Sequence, residues 1–485
     1  MARRPNILIV CSDQQRSDTL GCYGNSYVQT PNIDSLARDG ALFENAFVQS
    51  PICSPSRGSF LTGRYPRTTR LRQNGQIMPA DEKPISRLLA DEGYIAGLVG
   101  KFHFGPGAPE IARTTEPRID DGFSEFNWAQ SPSNLWGMYS DYTRFLAAKG
   151  MRYDTTPHEL SPWVKNGMPE DSTEAAWCAT RACEFITRRS ELAEPWFYIA
   201  NIYAPHHPFD PPPSFLQRYV DQLDELPLPV ATDDDLSTKS AYQRTDADGA
   251  YGQVSGFLGG FGRSEMRDMD RRMVKAAYWA MCDHVDQQVG RILKSLDDSG
   301  AADDTIVIYM SDHGEMLGDH NIYLKGPYFY DAAIRVPLII RYPRKLEPRR
   351  VAGMFEMVNL APTLMEAANA APYAGMQGRS ALSWLANPAL PEETDTSIYC
   401  EYYNAMPYHR DPTAQLTMLR TATHKIVVNH AHDDGELYDL AADPQEMRNL
   451  WQDVGSVAVK VEMLTKLTHR MAFTVDPLPP RLSEW

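Results

Sequence analysis

The side chains of this sequence with the most chemistry in them are Asp13-Gln14, Cys53 with Arg57 four positions on, Lys101 and His103, His206-His207, Asp312-His313 and Lys325. Carboxylates and imidazoles are ligands for a divalent ion. Hard oxygens favour calcium, magnesium or manganese, and an imidazole tilts the choice toward manganese. Lysines hold anions, and a histidine exchanges protons near neutral pH. Cys53 alone has two readings, a small buried hydrophobe or a thiolate favoured by a helix start. Each group also has an ordinary role: Asp13 as a loop cap, Lys101 and His103 as a solvated pair, Asp312-His313 as a capped loop. Placement is what sets them apart.

Four apolar runs end at these groups: Ile7 to Cys11, Ile95 to Val99, Trp196 to Tyr203 and Thr305 to Met310. Continuous runs of this length, separated by helical patterns, read as buried strands of a largely parallel sheet. In such sheets ligands bind beyond the carboxyl ends of the strands, which is where all four polar clusters fall. Alternation puts Lys101 and His103 on one side of an extended strand end. A long helical pattern runs from about Met266 to Leu296. The stretch from Ala231 to Gly262 turns polar and glycine-rich, a surface excursion or mobile lid. Its Gly259-Gly260-Phe261-Gly262 lacks the strand-to-helix setting of a nucleotide loop. We expect a catalytic α/β domain over residues 1–375. A smaller C-terminal α+β unit over 376–485 follows, with strands at Ser397–Tyr403 and His424–Asn429 and a helix near Val457–Met471. Its proline-rich tail ends at Trp485.

Composition narrows the partners. A 485-residue chain with 43% hydrophobic and 23% charged residues is ordinary globular material. A net charge of −16 argues against nucleic acid or an anionic membrane, so an anionic substrate needs a locally positive pocket. Met1 to Pro5 runs straight into an apolar strand without the features of a signal peptide. The seven cysteines show no metal or disulfide spacing. The expected compartment is cytoplasmic. The glycine-rich excursion and the tail invite a homo-oligomer.

Cys53-Ser54-Pro55-Ser56-Arg57-Gly58-Ser59, continued by Leu61-Thr62-Gly63-Arg64, resembles the signature of type I sulfatases, in which a maturation enzyme oxidises the cysteine to Cα-formylglycine. Gly100-Lys101-Phe102-His103-Phe104-Gly105, Pro205-His206-His207-Pro208 and Asp312-His313-Gly314 are similar to further segments of that family. Glu436-Leu437-Tyr438-Asp439-Leu440 resembles its tail, so the likeness covers nearly the whole chain. It implies an alkaline phosphatase-like doubly wound mixed sheet between helices, with a small C-terminal domain, and hydrolysis of an organic sulfate monoester. It implies one divalent cation, Ca2+ or Mn2+ and otherwise Mg2+, on Asp13, Asp312, His313 and the modified Cys53. Gln14 is then a weak neutral ligand or none. Gly314 would let two adjacent residues face one ion. A formylglycine hydrate carries two hydroxyls: one attacks sulfur, and the other later expels sulfate as the carbonyl reforms. Arg57 would orient the hydrate, Lys101 hold the sulfate, His103 deprotonate the second hydroxyl, and His206 with Lys325 assist the leaving oxygen. Asn74, in the Arg70–Asn74 stretch, and aromatics of Trp128–Tyr142 would line the approach to substrate. Single Asp13 with Asp312-His313 also fits a phosphonate monoester or phosphodiester hydrolase, against which Lys101 and His103 count. A non-catalytic anion-binding protein is the remaining reading.

Overall fold

A computed structural model describes residues 4–232, 235–249, 260–407 and 413–479. The main sheet contains β1 (Asn6–Asp13), β2 (Ala41–Phe47), β3 (Ile95–Gly100), β4 (Phe123–Trp128), β5 (Trp196–Pro205), β6 (Thr305–Ser311), β7 (Leu338–Arg341) and β8 (Arg349–Glu356). Their order is β8-β2-β7-β6-β1-β5-β3-β4, with the short strand Arg335–Val336 also paired to β2. Parallel pairing joins β6, β1, β5, β3 and β4. β7 runs antiparallel to both its neighbours.

The apolar runs have a direct cause. Ile7, Ile9 and Cys11 face one core, while Leu8 and Val10 face another on the opposite side of the sheet. A strand covered on both faces has no polar side to alternate with. Each such side chain contributes about 1.5–3 kcal/mol on burial. The second core is closed by α2 (Glu174–Ser190) and by part of α3 (Asp268–Asp298), which also meets the first core through Met273, Ala277 and Met281. In front of them in the chain, α1 (Cys53–Thr62) carries the motif cysteine.

The C-terminal unit is an antiparallel sheet of β9 (Ile398–Tyr403), β10 (Gln415–Arg420), β11 (His424–Asn429) and β12 (Asp434–Asp439), covered by α4 (Val457–Phe473). Tyr399, Leu419, Ile426 and Leu437 pack with Met463 and Leu467 of α4. The alternate residues Ile398, Cys400, Leu416 and Met418 belong to the main core instead. The small sheet therefore shares a core with the large one.

The described part of the 231–262 excursion is anchored by its side chains. Lys239 is 2% exposed. Its Nζ donates to Tyr438 Oη at 3.2 Å and lies over the rings of Tyr330 and Tyr438. The following helix, Ala241–Asp248, buries Tyr242 and Gln243, and Gln243 Nε2 donates to Glu436 Oε1 at 2.6 Å. A buried ammonium held by two aromatic faces is a costly contact to open. Gly259 and the end of the tail, residues 480–485, lie outside the described residues. Among the described residues no helix is long and apolar enough to cross a membrane.

Candidate active site

Cys53 is the first helical residue of α1, entered from an extended Ile52. Pro55 sits in the first turn, where its missing N–H costs nothing. All ten residues of α1 are buried although few are apolar. Their polar groups are aimed at partners. Ser56 Oγ donates to the Asp312 carbonyl at 2.5 Å. Arg57 donates to Asp312 Oδ2 at 2.8 Å, to Asp13 Oδ2 at 3.3 Å and to the Lys101 carbonyl at 2.8 Å. Arg57 thus spans two carboxylates, and its hydrogen bonds to described residues bypass Cys53. Asn74 is likewise engaged: its Oδ1 accepts the Ser54 N–H at 3.0 Å, filling an orphan donor at the helix start. Asn74, expected to face substrate, meets the helix start through Oδ1 and Met406 Sδ through Nδ2 at 3.4 Å. Arg64 of the extended motif lies in salt bridges with Glu82 and Asp476, away from the cysteine.

Asp13 arrives at the end of β1, where the register against β5 jumps from Ser12↔Ile202 to Asp13↔Pro205. Asp312 and His313 follow β6, and all three are wholly buried. Gly314 earns its place through close approach: a Cβ there would stand 1.9 Å from the Ala332 carbonyl oxygen. His313 Nδ1 donates to the Gly314 carbonyl at 2.9 Å, which leaves Nε2 bare and inward. Nε2 lies 3.0 Å from Cys53 Sγ, 3.6 Å from Asp13 Oδ1 and 3.8 Å from Asp312 Oδ1. One ligand atom from each of Asp13, Cys53, Asp312 and His313 falls within 4.8 Å of the others. Ligands at about 2.1–2.4 Å from a hard divalent ion have this mutual spacing. The donor set fits such an ion. Gln14 turns its Oε1 to Lys325 Nζ (2.8 Å) and its Nε2 to Glu315, so its carboxamide is spent on neighbours.

Two ammonium groups flank the sulfur. Lys325 Nζ is 3.0 Å and Lys101 Nζ 3.5 Å from Cys53 Sγ, and Lys101 also pairs with Asp13 Oδ2 at 2.6 Å. Burial resists ionisation of Cys53, but Lys101, Lys325 and His313 outweigh it and hold the thiol well below its usual range. For Asp13, burial and Cys53 push upward, yet Lys101, His206 and Lys325 keep the carboxyl well below the ordinary range. Burial raises Asp312 despite Arg57. His313 is raised because Asp312 and Cys53 overcome its burial. Three cationic side chains, Arg57, Lys101 and Lys325, thereby gather inside an acidic protein.

His206 donates from Nδ1 to the His207 carbonyl at 2.6 Å, and its Nε2 accepts from Lys325 Nζ at 2.6 Å. Burial first, then Lys325, lower its pKa to about 4. It is neutral, with Nε2 turned to Lys325. His103 hydrogen-bonds Cys53, with its pKa lowered to about 4 by burial and by Lys101. Lys101 and His103 do converge, though by a turn, since β3 ends at Gly100 (φ 95°) and His103 itself has φ 65°. A Cβ at Gly100 would lie 1.9 Å from the Asn201 carbonyl oxygen. His320 stacks on Tyr330 and supports the loop carrying Lys325. Trp128, expected along the approach, is buried against Trp136.

The sulfatase family model matches residues 5–370, and that of the C-terminal part of N-sulphoglucosamine sulphohydrolase matches 318–472. The chain belongs to the sulfatase family. It is 30% identical to the uncharacterized sulfatase YidJ of Escherichia coli over 491 residues, covering 100% of this chain and 90% of that protein. An arylsulfatase of Clostridium perfringens is 28% identical, covering 92% of this chain and 90% of its own. Among solved structures, the phosphonate monoester hydrolase of Agrobacterium radiobacter superposes with a TM-score of 0.82 at 27% identity, over 99% of this chain and 98% of that one. For this sulfatase-family site, sequence reasoning passed over Glu116, Tyr203 and the role of Glu315. Tyr203 ends an apolar run and was readable as an inward residue. Its ring lies under Lys101 Nζ, 5.3 Å away, and against His206. Glu315 accepts from Gln14 and from the Leu317 N–H. Glu116 stands in a polar loop with no pattern to flag it.

Proposed function

We propose that this protein hydrolyses a sulfate monoester of a small organic alcohol or phenol, using a formylglycine made from Cys53 by a maturation enzyme. The observation that carries this is the pair of buried ammonium groups, Lys325 and Lys101, at 3.0 and 3.5 Å from Cys53 Sγ beside the Asp13, Asp312 and His313 cluster. Cys53 Sγ marks where the hydrate oxygens of formylglycine would stand. Asp13, Asp312, His313 and residue 53 would hold a divalent cation, calcium or manganese and otherwise magnesium, which would supply polarisation of the sulfate and a lower pKa for the hydrate. Arg57 fixes both carboxylates. A hydroxyl of residue 53 attacks sulfur and Asp312 takes its proton. The ester oxygen leaves with a proton from Lys325, whose ammonium His206 holds in place. His103 then takes the proton of the remaining hydroxyl, the carbon–oxygen bond to sulfate breaks, the carbonyl reforms, and water hydrates it again. Seven unpaired cysteines favour a reducing compartment.

Mass spectrometry of the residue-53 peptide, on protein produced with a maturation enzyme, tests this. A loss of about 18 Da with release of sulfate from aryl or alkyl sulfates is the expected result. An unmodified cysteine without sulfate release overturns the proposal. A second reading, hydrolysis of phosphonate monoesters, draws on the 0.82 TM-score and on Gln14 beside Asp13. Parallel kinetics with a phenyl phosphonate ester decides between them.

A further inference from the structure

Glu116 is fully buried in a loop whose neighbours are half-exposed or exposed. Its Oε2 accepts the backbone N–H of His103 (2.8 Å) and the indole N–H of Trp128 (3.2 Å). Its Oε1 accepts the backbone N–H groups of Phe104 (2.6 Å) and Gly105 (3.2 Å). Four donors fill the capacity of one carboxylate. Three successive N–H groups can converge on one acceptor only if the chain curls around it, and the left-handed backbone of His103 (φ 65°) is that curl. A non-glycine residue adopts such a conformation only at a cost, so something must impose it.

The His103 ring makes the same point. His206 and His313 each have Nδ1 tied to a backbone carbonyl. His103 Nδ1 is buried and has no such partner among the described residues. Apart from its hydrogen bond to Cys53, the ring takes its aim from the backbone, and Glu116 holds that backbone. We propose that Glu116 is the positioning residue for the sulfate-release step, acting through His103. This rests on the functional reading above, in which His103 deprotonates the second hydroxyl of residue 53, electrons close the carbonyl, and the bond to sulfate breaks.

The test uses mature, metal-loaded enzyme and Glu116→Gln, which keeps the shape but sets an NH2 group against N–H donors. A displacement of about 1 Å at a reacting group costs on the order of 100-fold, so kcat should fall at least about 30-fold with KM within about 3-fold. The residue-53 peptide should then be about 98 Da heavier than the aldehyde form, one water plus SO3, the sulfated hydrate held before release. In a His103→Ala background the same substitution should cost nothing further, because a residue that acts only through His103 has nothing left to position. Losses that multiply in the double variant, a change confined to KM, or full activity of Glu116→Gln would each overturn the proposal. If Glu116→Gln folds poorly, Trp128→Phe removes one donor and should show the same pattern at about 3-fold. A wild-type enzyme with unmodified residue 53 and no sulfate release would instead sink the functional reading itself.

Discussion

Replacing Lys101 by Met keeps most of the side-chain volume and deletes one of the two ammonium groups facing residue 53. Coulomb's law at an effective dielectric of about 20 gives on the order of 5 kcal/mol for unit charges 3.5 Å apart. The full amount is not lost, because Lys325 remains 3.0 Å from the same atom. Removing one preorganised oxyanion partner costs about 2.7–4 kcal/mol in comparable sites, so kcat/KM should fall about 10²- to 10³-fold. There is a second consequence at Asp13, whose carboxyl is held low against burial chiefly by Lys101. Without Lys101 its pKa rises, so protons compete with the cation for Asp13 at a higher pH than in the wild type. The assay is steady-state hydrolysis of an aryl sulfate across pH, with formylglycine content and bound metal measured on each sample. If Lys101→Met stays within about 5-fold of the wild type at equal modification and metal content, the electrostatic argument is wrong.

Asn74→Ala should leave KM nearly unchanged and lower stability by about 1–3 kcal/mol, the cost of orphaning the buried Ser54 N–H. A large rise in KM with unchanged stability would restore Asn74 as a substrate contact. Asp312→Asn combined with His313→Ala should reduce bound divalent metal from about one per chain to near zero by elemental analysis, because two of four clustered ligands are gone. Burial holds His103, His206 and His284 neutral with pKa values lowered to about 4 from 6.5. The unfolded chain takes up these protons below about pH 6.5 while the folded chain waits until near 4. The contribution of these three histidines to stability is therefore full above 6.5 and is lost as pH falls from 6.5 to 4. Urea midpoints of the wild type and of His284→Gln at pH 7, 5.5 and 4.5 check the sign: the wild type should lose stability relative to the variant as pH falls, and a constant difference would contradict it.

Much of the site was readable because its residues lie at the ends of apolar runs. Asp13, Lys101, His206 and Asp312 follow strands that are buried on both faces, and such strands announce themselves in the sequence. The strands Ala41–Phe47, Phe123–Trp128 and Arg349–Glu356 carry no such signal. They mix exposed and half-buried positions, so no run of apolar residues marks them.

The sequence by itself determined the family, the layered α/β architecture and the cluster of groups that do the chemistry. Those follow from local patterns: motif spacing around Cys53, and hydrophobic runs that can only be buried strands. Tertiary structure alone decided how the groups divide the work. Arg57 went to Asp13 and Asp312, Asn74 to the helix start, and Lys325 to His206 Nε2, which faces it because Nδ1 is tied to a carbonyl. Glu116 joined the site through four donors from two segments. A hydrogen-bond partner is a matter of position and direction over a few ångströms, and residues distant in the chain acquire those only when it folds.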